Sequence, residues 1–437
     1  MRNAWLGTVT ATVAILVSGI ATGVLAARLL GPADRGLLAA VIFWPQTIAA
    51  LASLSLGEAL IARLPRTKAS PARVAASAAA ASLAVAVIAG ALGVPLLPLL
   101  LGAERESVTS LAVLYLVAHL PLSALATVLV ALDQAELRFL RLNLLRLGPS
   151  WFYLAAIGAL WLVAAVSVTT LVWAIWAGSA VTVAVRLFLL RNHVRAGLDL
   201  GEVRALLALG GRFHAGAVLA LLAGQADRML LLLTFDDATV GQYVAAWTFA
   251  SSGLATATHA VAFVLLPVLA AERDRSRARA LLAIGLRRTA LFLYLGVPAS
   301  LAVTPFFLPL LFGAAFAEAV PAAILLLLAI VPLTLRQTIV RCLRAFAEAR
   351  VAVSSELAAL LAFLLLAGPL AWAFGANGIA AAAIGGNLAG LLICARHLAR
   401  AHGIAASAWL APGAAMLEDG WTLLLSLKPQ SSIAQGR

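Results

Sequence analysis

The sequence has little charge and very little cysteine. Only 11% of its 437 residues are charged and 63% are hydrophobic, whereas a soluble domain carries about 25% charged residues. Because so much apolar surface cannot be hidden in a water-soluble core, an ordinary soluble protein is excluded and a polytopic membrane protein is indicated. The two cysteines, Cys342 and Cys394, fall near helix ends predicted to be cytoplasmic, which argues against a disulfide.

Two chemical signatures are also missing. The sequence has no GxxxxGK[ST] phosphate loop, which excludes an ATPase motor within it. Its histidines show no metal-ligand spacing, so we expect no metal site, and we expect no cofactor. The histidines are His119, His193, His214, His259, His397 and His402.

The sequence consists instead of long apolar runs. Because a spanning helix needs about 20 apolar residues, the runs predict an all-α membrane protein with twelve transmembrane helices. The predicted spans are 8–30, 36–62, 74–101, 108–132, 147–165, 168–190, 213–235, 240–269, 283–311, 320–345, 351–373 and 376–396.

Basic residues follow the even-numbered spans almost exclusively. The opposite loops hold only Arg35 and Arg105, each beside acidic residues. Since positive charge collects in cytoplasmic loops, both termini are predicted to be cytoplasmic. This asymmetry accounts for most of the net charge of +13 without a nucleic-acid partner, and membrane lipids are the expected partners of the basic loops. The basic residues on this side are Arg63, Arg66, Lys68, Arg73, Arg138, Arg141, Arg146, Arg191, Arg195, Arg204, Arg212, Arg273, Arg275, Arg277, Arg279, Arg341, Arg344 and Arg350.

The second half of the sequence repeats features of the first. LLPLLLGAE at 96–104 matches FLPLLFGAA at 307–315, which pairs Gly102 with Gly313 at an offset of 211 residues (313 − 102). Such duplication predicts two six-helix bundles with a cleft between them, the geometry of alternating access. Further matched pairs are Pro98 and Pro309, Pro121 and Pro332, and Gly36 and Gly241.

These patterns divide the chain into four parts. Within the second part, leucines and Glu202 recur at helical spacing, which predicts a short interfacial helix. The parts are an N-terminal six-helix bundle at 1–190, a cytoplasmic linker at 191–212, a C-terminal six-helix bundle at 213–396 and a cytoplasmic tail at 397–437.

Charged residues inside the predicted spans mark the candidate site. Asp227 and Arg228 lie side by side in span seven, Arg336 lies in span ten, and Arg28 lies near the outer end of span one. A central charge costs about 3 kcal/mol or more, yet Leu125 occupies the position matching Arg336 (336 − 211), so the repeated fold does not require the charge. We therefore predict a water-lined, cationic cleft.

Arg28, Arg228 and Arg336 are the candidate substrate-binding residues, because guanidinium binds phosphate through paired hydrogen bonds. Asp227 is the candidate site for a coupling proton or sodium ion. Adjacent helical residues point about 100° apart, so Asp227 and Arg228 should not pair with each other, and Arg28 is the candidate partner of Asp227. The alternative is that Asp227, Arg228 and Arg336 form interhelical ion pairs that only lock the bundle, while Arg28 extends outward to the interface.

Three smaller patterns give structural expectations. GIATG at 19–23 and GNLAG at 386–390 have the GxxxG spacing that lets helices approach closely. Glu58 is expected to pair with a basic loop residue such as Arg63, and Glu356 is expected to pair in the same way.

ARLLGPADRGLLAAV at 27–41 resembles the ARxLGPxxxG signature of the polysaccharide and O-antigen flippases, members of the multidrug/oligosaccharidyl-lipid/polysaccharide exporter superfamily. Residues 226–270 are similar to that family's seventh and eighth spans, and 311–363 with 374–392 are similar to its last three spans. The resemblance covers about residues 5 to 396.

The resemblance implies two six-helix bundles like those of the multidrug and toxic compound extrusion proteins. It implies a place in the bacterial cytoplasmic (inner) membrane and the flipping of undecaprenyl-diphosphate-linked oligosaccharide to the outer leaflet. The implied partner is therefore an anionic lipid-linked oligosaccharide, with polysaccharide-assembly proteins as further candidates. Cavities of this family are typically cationic, which matches Arg28, Arg228 and Arg336.

Three other functional classes compete with a flippase. One of them, a non-transporting scaffold, would not need unmatched intramembrane arginines. An ion-coupled multidrug or small-solute antiporter on the same fold would favour buried carboxylates, which are few in this sequence beside its intramembrane arginines. A membrane enzyme such as a polymerase or ligase needs a long extracytoplasmic loop, whereas the predicted loops on that side span about eight residues at most. We therefore expect a transporter and no enzyme activity.

Overall fold

A computed structural model describes residues 2–191, 197–251, 269, 272, 274–343, 346 and 348–410. These residues form helices and connecting turns, with no strand among them, and the predicted all-α class is confirmed. The helices are α1 (Arg2–Leu51), α2 (Leu56–Arg63), α3 (Pro71–Leu101), α4 (Glu106–Ala135), α5 (Phe139–Leu162), α6 (Val168–Leu189), α7 (Leu200–Thr234), α8 (Asp237–Ala250), α9 (Arg275–Phe312), α10 (Val320–Leu343), α11 (Ala349–Phe374), α12 (Ala376–His402) and α13 (Ser407–Leu410).

Nine helical segments in the described ranges are long and apolar enough to cross a membrane. One of them, Thr10–Arg66, contains nearly all of the first predicted span and all of the second. Most of predicted span eight lies outside the described residues, as do Arg195, Arg273, Arg344 and the tail beyond Leu410. The described segments establish a multi-pass membrane protein.

The chain divides into two compact units. The first consists of Met1–Thr248 with Leu308–Val320, and the second consists of Phe249–Phe307 with Pro321–Arg437. The predicted division of the chain into two repeated copies, joined at 191–212, stays a prediction. The boundary between two compact units need not coincide with the boundary between two duplicated sequences.

Two breaks interrupt the helical path of the first two predicted spans. Gly31 joins two helices within α1 at φ 77° and ψ 176°, a conformation open essentially to glycine alone. The sequence predicts a boundary here, because Gly31 and Pro32 lie between predicted spans one (8–30) and two (36–62). The second break was not foreseen: Leu54 and Ser55 have φ values of 43° and 50° between α1 and α2, and predicted span two is therefore split there. Left-handed backbone at non-glycine residues costs about 1–3 kcal/mol each.

Two turns that the predicted internal repeat matches have the same local geometry. Gly102 follows α3 at φ 75° and ψ 169°, and Gly313 follows α9 at φ 104° and ψ 157°. Each glycine N–H donates to a proline carbonyl, that of Pro98 at 3.0 Å and that of Pro309 at 2.8 Å. Both turns then enter a short 3-10 helix, so the matched sequences adopt the same helix ending.

Helix α7 is one continuous element over Leu200–Thr234, and the predicted interfacial helix forms its first part. Leu206 is fully buried and packs with residues of α2, α3 and α4. Glu202 accepts two hydrogen bonds from Arg63, at 2.9 and 3.0 Å. The expected pair between Glu58 and Arg63 is therefore wrong: Glu58 is exposed, and the start of α7 brings a carboxylate to Arg63 from a distant part of the chain.

Helices α11 and α12 approach closely through glycine, as GNLAG predicts. A Cβ atom on Gly386 would lie 2.8 Å from the Ala359 carbonyl oxygen, and one on Gly390 would lie 2.8 Å from that of Ser355. In GIATG, Gly23 meets Thr248 at 3.0 Å, while a Cβ atom on Gly19 would meet no described atom within 4 Å.

Candidate functional site

Asp227 and Arg228 lie toward the C-terminal end of α7, and α8 passes beside them. The Tyr243 hydroxyl donates a hydrogen bond to Asp227 Oδ2 at 3.0 Å. The Arg228 guanidinium carbon lies 4.3 Å from the centroid of the Trp247 ring, a distance at which a cation is attracted by the ring. Arg228 Nη2 also donates to the Gly224 carbonyl at 2.9 Å. Both charged side chains therefore contact α8, and this arrangement is called the α7–α8 charge cluster.

The expectation that the two adjacent charges would not pair is wrong. Arg228 Nε lies 3.7 Å from Asp227 Oδ1, because the long arginine side chain bends back across the angle between neighbouring residues. This contact is longer than the ~2.7–2.9 Å of a charge-assisted hydrogen bond. Arg228 remains 21% exposed and Asp227 13% exposed, and Arg228 Nε has no hydrogen-bond partner among the described residues. The guanidinium thus keeps an unused donor at Nε, an atom that is itself buried.

Arg28 binds the end of a different helix from the one expected. Its Nε donates to the Leu311 carbonyl at 2.6 Å, and its Nη2 donates to the Leu310 carbonyl. Carbonyls in the last turn of a helix lack intrahelical partners, and a cation there is also favoured by the helix dipole. The proposed pairing of Arg28 with Asp227 is therefore wrong, since α9 supplies acceptors for Arg28 and α8 supplies a donor for Asp227.

Arg336 is buried in the second unit, with 2% of its surface exposed. Its Nη1 lies 2.7 Å from Glu356 Oε2, so the expectation that Glu356 pairs with a basic loop residue is wrong. Gly390 makes room for the arginine, because a Cβ atom there would lie 2.6 Å from Arg336 Cδ. Close packing of α10, α11 and α12 thus places the acid and the base together.

Arg105 was assigned to an outer loop and was not singled out, yet it is 4% exposed and makes three close contacts. Its Nε donates to Asp237 Oδ1 at 2.6 Å, its Nη1 to the Leu232 carbonyl at 2.6 Å, and its Nη2 to the Phe235 carbonyl at 2.9 Å. Comparison of the repeats could have revealed it, because the matching position (105 + 211) holds Phe316.

Two glycines bring the backbones beside this arginine together. A Cβ atom on Gly36 would lie 1.8 Å from the Asp237 carbonyl oxygen, and one on Gly241 would lie 1.9 Å from that of Pro32. Gly36 and Gly241 are a pair matched by the repeat. Because neither has a side chain, the segment around each glycine can approach the segment around the other closely. The second helical part of α1 and the start of α8 therefore meet in a reciprocal contact.

One group of three potential metal ligands occurs among the described residues. Ligand atoms of Glu348, His397 and His402 lie within 4.8 Å of one another. Sequence reasoning missed this group, because Glu348 is far from the histidines along the chain. The available signal was the presence of two histidines near the end of α12.

Comparisons with known proteins place these features in a family. The family model described as "Polysaccharide biosynthesis protein" matches residues 24–321, more than half of the chain. Comparison with curated proteins gives no match.

Several solved structures share the fold. The lipid II flippase MurJ in an inward closed conformation has a TM-score of 0.78 and 13% identity, with 97% of this chain and 91% of that chain covered. An inward-facing multidrug resistance MATE family transporter of the MOP superfamily has a TM-score of 0.65 and 15% identity, with 97% and 96% covered.

A further solved structure, a MOP superfamily transporter from Pyrococcus furiosus described as having a binding pocket of reverse polarity, has a TM-score of 0.62 and 14% identity, with 90% and 93% covered. At identities of 13–15%, the similarity to these solved structures shows only a shared fold. The match to the family model shows which family the chain belongs to. The chain belongs to the polysaccharide biosynthesis protein family and has the fold of the transporters and flippases of the MOP superfamily.

Proposed function

We propose that this protein is a flippase for undecaprenyl-diphosphate-linked oligosaccharide, serving polysaccharide, O-antigen or capsule export. It moves the lipid from the cytoplasmic to the outer leaflet of the bacterial cytoplasmic membrane by alternating access, and both of its termini are cytoplasmic. Family membership supports a role in polysaccharide synthesis, and the shared fold with a lipid II flippase supports a lipid-linked substrate. The protein acts as a transporter and carries out no reaction on the sugar.

The main structural support for this proposal is the exposure and pairing of Arg228. Its side chain is partly exposed, and its guanidinium lies 4.3 Å from the centroid of the Trp247 ring and is only loosely paired with Asp227 at 3.7 Å. A diphosphate is an anion that such a guanidinium can bind through paired, charge-assisted hydrogen bonds. We infer that Arg228 is the first contact of the diphosphate group.

We propose that Arg28 and Arg336 bind the substrate after Arg228 does. Arg28 donates to two carbonyls of α9 through Nε and Nη2, and Arg336 is buried against Glu356, so the protein itself engages both guanidinium groups in this arrangement. Each becomes available to the substrate after its present partner is released. We propose that these exchanges accompany the change between the two sides of the membrane.

The test of Arg228 is translocation of fluorescent undecaprenyl-diphosphate oligosaccharide in proteoliposomes. Removing a hydrogen bond to a charged group costs about 1.5–3 kcal/mol, so Arg228→Ala should slow translocation by about tenfold or more. Arg228→Lys keeps the charge but loses the paired geometry and should be intermediate. Arg212→Ala is the matched control, because Arg212 is an exposed arginine of the same helix. Normal rates with Arg228→Ala would remove Arg228 from the proposal.

The alternative function is an ion-coupled multidrug or small-solute antiporter, and Asp227 is the observation that favours it. This carboxylate lies within α7, is 13% exposed and accepts a hydrogen bond from Tyr243, so it can respond to a bound proton or sodium ion. Export of cationic dyes driven by an imposed ion gradient, without translocation of the lipid, would establish the antiporter. If lipid translocation depends on the gradient and Asp227→Asn abolishes that dependence, Asp227 is the coupling site of the flippase.

A further inference from the structure

Three potential metal ligands converge at one end of the α11–α12 helix pair. Glu348 occupies the residue just before α11, and His397 and His402 lie in the last turns of α12. The Glu348 Oε2 atom lies 2.5 Å from His397 Nε2 and 3.1 Å from His402 Nε2. The cluster of Glu348, His397 and His402 is called the inner His–Glu cluster.

The fold holds these groups in place. Helix α12 stops at His402 because Gly403 takes a left-handed conformation with φ 68°. His402 is 8% exposed, and its ring packs against Phe346, with 4.9 Å between the ring centroids. The centroids of the two histidine rings are 5.7 Å apart. The imidazoles are thus directed to the same carboxylate by packing as well as by hydrogen bonding.

We propose that the inner His–Glu cluster binds a divalent transition metal, with Zn²⁺ the best match to its chemistry. Two imidazole nitrogens and one carboxylate oxygen are a common three-residue zinc set, completed by water at the fourth position. Bond lengths of about 2.0–2.2 Å in tetrahedral geometry separate neighbouring ligand atoms by about 3.3 Å. The three atoms lie within 4.8 Å of one another, so small side-chain movements admit the ion.

Binding there would join the beginning of α11 to the end of α12. The two helices already meet where Gly386 and Gly390 face Ala359 and Ser355, and the ion adds a link further toward the start of α11 and the end of α12. Such a link stabilises the second unit and limits separation of these helix ends. The site belongs to this unit alone and does not depend on the nature of the transported substrate.

Cobalt titration of the purified full-length protein provides the test, since tetrahedral Co²⁺ has strong visible absorption that reports its ligands. The protein should carry a histidine-free affinity tag and be treated with chelator first. We expect one Co²⁺ per chain, displaced by Zn²⁺, and a higher melting temperature with Zn²⁺. Alanine at His397 or His402 should weaken binding by more than the ~10–100-fold seen for partners outside the ligand shell.

Two further variants make the result decisive. His214→Ala removes a histidine on α7 and should bind Co²⁺ normally. Glu348→Gln keeps a hydrogen-bond acceptor for both histidines but replaces an anionic ligand with a weak neutral one, so it should remain folded and lose tight binding. Equal Co²⁺ affinity in wild type and Glu348→Gln, or tight binding that survives loss of both histidines, would overturn the proposal. A metal-independent hydrogen-bonded cluster predicts no visible band and no effect of Zn²⁺ on melting.

Discussion

Arg105 shows how a single buried cation can organise a connection between helices. It is 4% exposed and binds the Asp237 carboxylate together with the carbonyls of Leu232 and Phe235. These two carbonyls belong to the end of α7, where the helix leaves acceptors unsatisfied. One side chain therefore closes the end of α7 and fixes the beginning of α8.

Arg105→Ala should destabilise the protein by about 3–5 kcal/mol, because it leaves a carboxylate and two carbonyls without their cation. The measurement is the free energy of unfolding in mild detergent titrated with SDS. Arg138→Ala is the matched control: Arg138 pairs with Glu136 at 2.8 Å but is 51% exposed, and loss of a surface pair costs about 1 kcal/mol at most. Equal effects of the two variants would contradict the role assigned to Arg105.

At the scale of elements, α8 begins with a carboxylate cap. The backbone N–H of Thr239 donates to Asp236 Oδ1 at 3.0 Å, and its hydroxyl donates to Oδ2 at 2.8 Å. The backbone hydrogen bond is the main cause that holds the pKa of Asp236 below its usual value of 3.8. The ionised form is therefore the one that stabilises the helix start.

Asp236→Ala should cost about 1 kcal/mol near neutral pH, as loss of a helix cap does. Because the pKa is lowered on folding, the stabilisation is fully present above the usual value of 3.8 and is lost as the pH falls through the folded-state pKa. Thermal unfolding in detergent between about pH 3 and pH 7 checks this. A difference between wild type and variant that grows on acidification would refute the assigned cap.

The reciprocal contact between α1 and α8 depends on glycine. Gly36→Ala would place a Cβ atom 1.8 Å from the Asp237 carbonyl oxygen, and the backbone must shift to relieve the clash. We expect a loss of about 1–3 kcal/mol or more from this overpacking, measured as the free energy of unfolding. A Cβ atom on Gly19, on the same helix, meets no described atom within 4 Å, and Gly19→Ala should be neutral or stabilising by roughly 0.5–1 kcal/mol. If Gly36→Ala left the free energy of unfolding unchanged, the close contact between α1 and α8 would not be present in the folded protein.

At the scale of the whole molecule, the chain combines an all-helical membrane fold with membership of a polysaccharide biosynthesis family. The orientation predicted from its basic residues can be tested with cysteine labelling. Lys68 and Glu104 lie on exposed turns that are predicted to face the cytoplasm and the outside, respectively.

In intact cells, an impermeant maleimide should label Glu104→Cys but not Lys68→Cys, because only the outer side is accessible to it. The native cysteines provide a low background, since Cys342 and Cys394 are both fully buried. Labelling of Lys68→Cys alone would mean that the chain is inserted in the opposite sense. Labelling after membrane permeabilisation is the control for reactivity.

Most of the fold was predictable because its signals are local. The Gly31-Pro32 turn and the matched endings at Gly102 and Gly313 follow from backbone conformations that few residues other than glycine adopt. The turn at Leu54 and Ser55 was not predictable, since neither residue favours left-handed backbone. The length of α7 was also missed: the helical spacing of leucines and Glu202 suggested a short interfacial helix, whereas Leu206 is buried against three other helices.

The sequence by itself determined the membrane class, the predicted repeat and the family resemblance. The length of apolar runs, the charge of loops and repeated motifs can all be read from residues that are close together in the sequence. The charged residues of the candidate site were found in the same way. Their partners were decided only by the tertiary structure: Arg28 binds α9, Arg336 binds Glu356, and Glu348 meets two histidines of α12. A charge inside a membrane requires a partner, but which helix supplies that partner depends on how helices distant in sequence pack together.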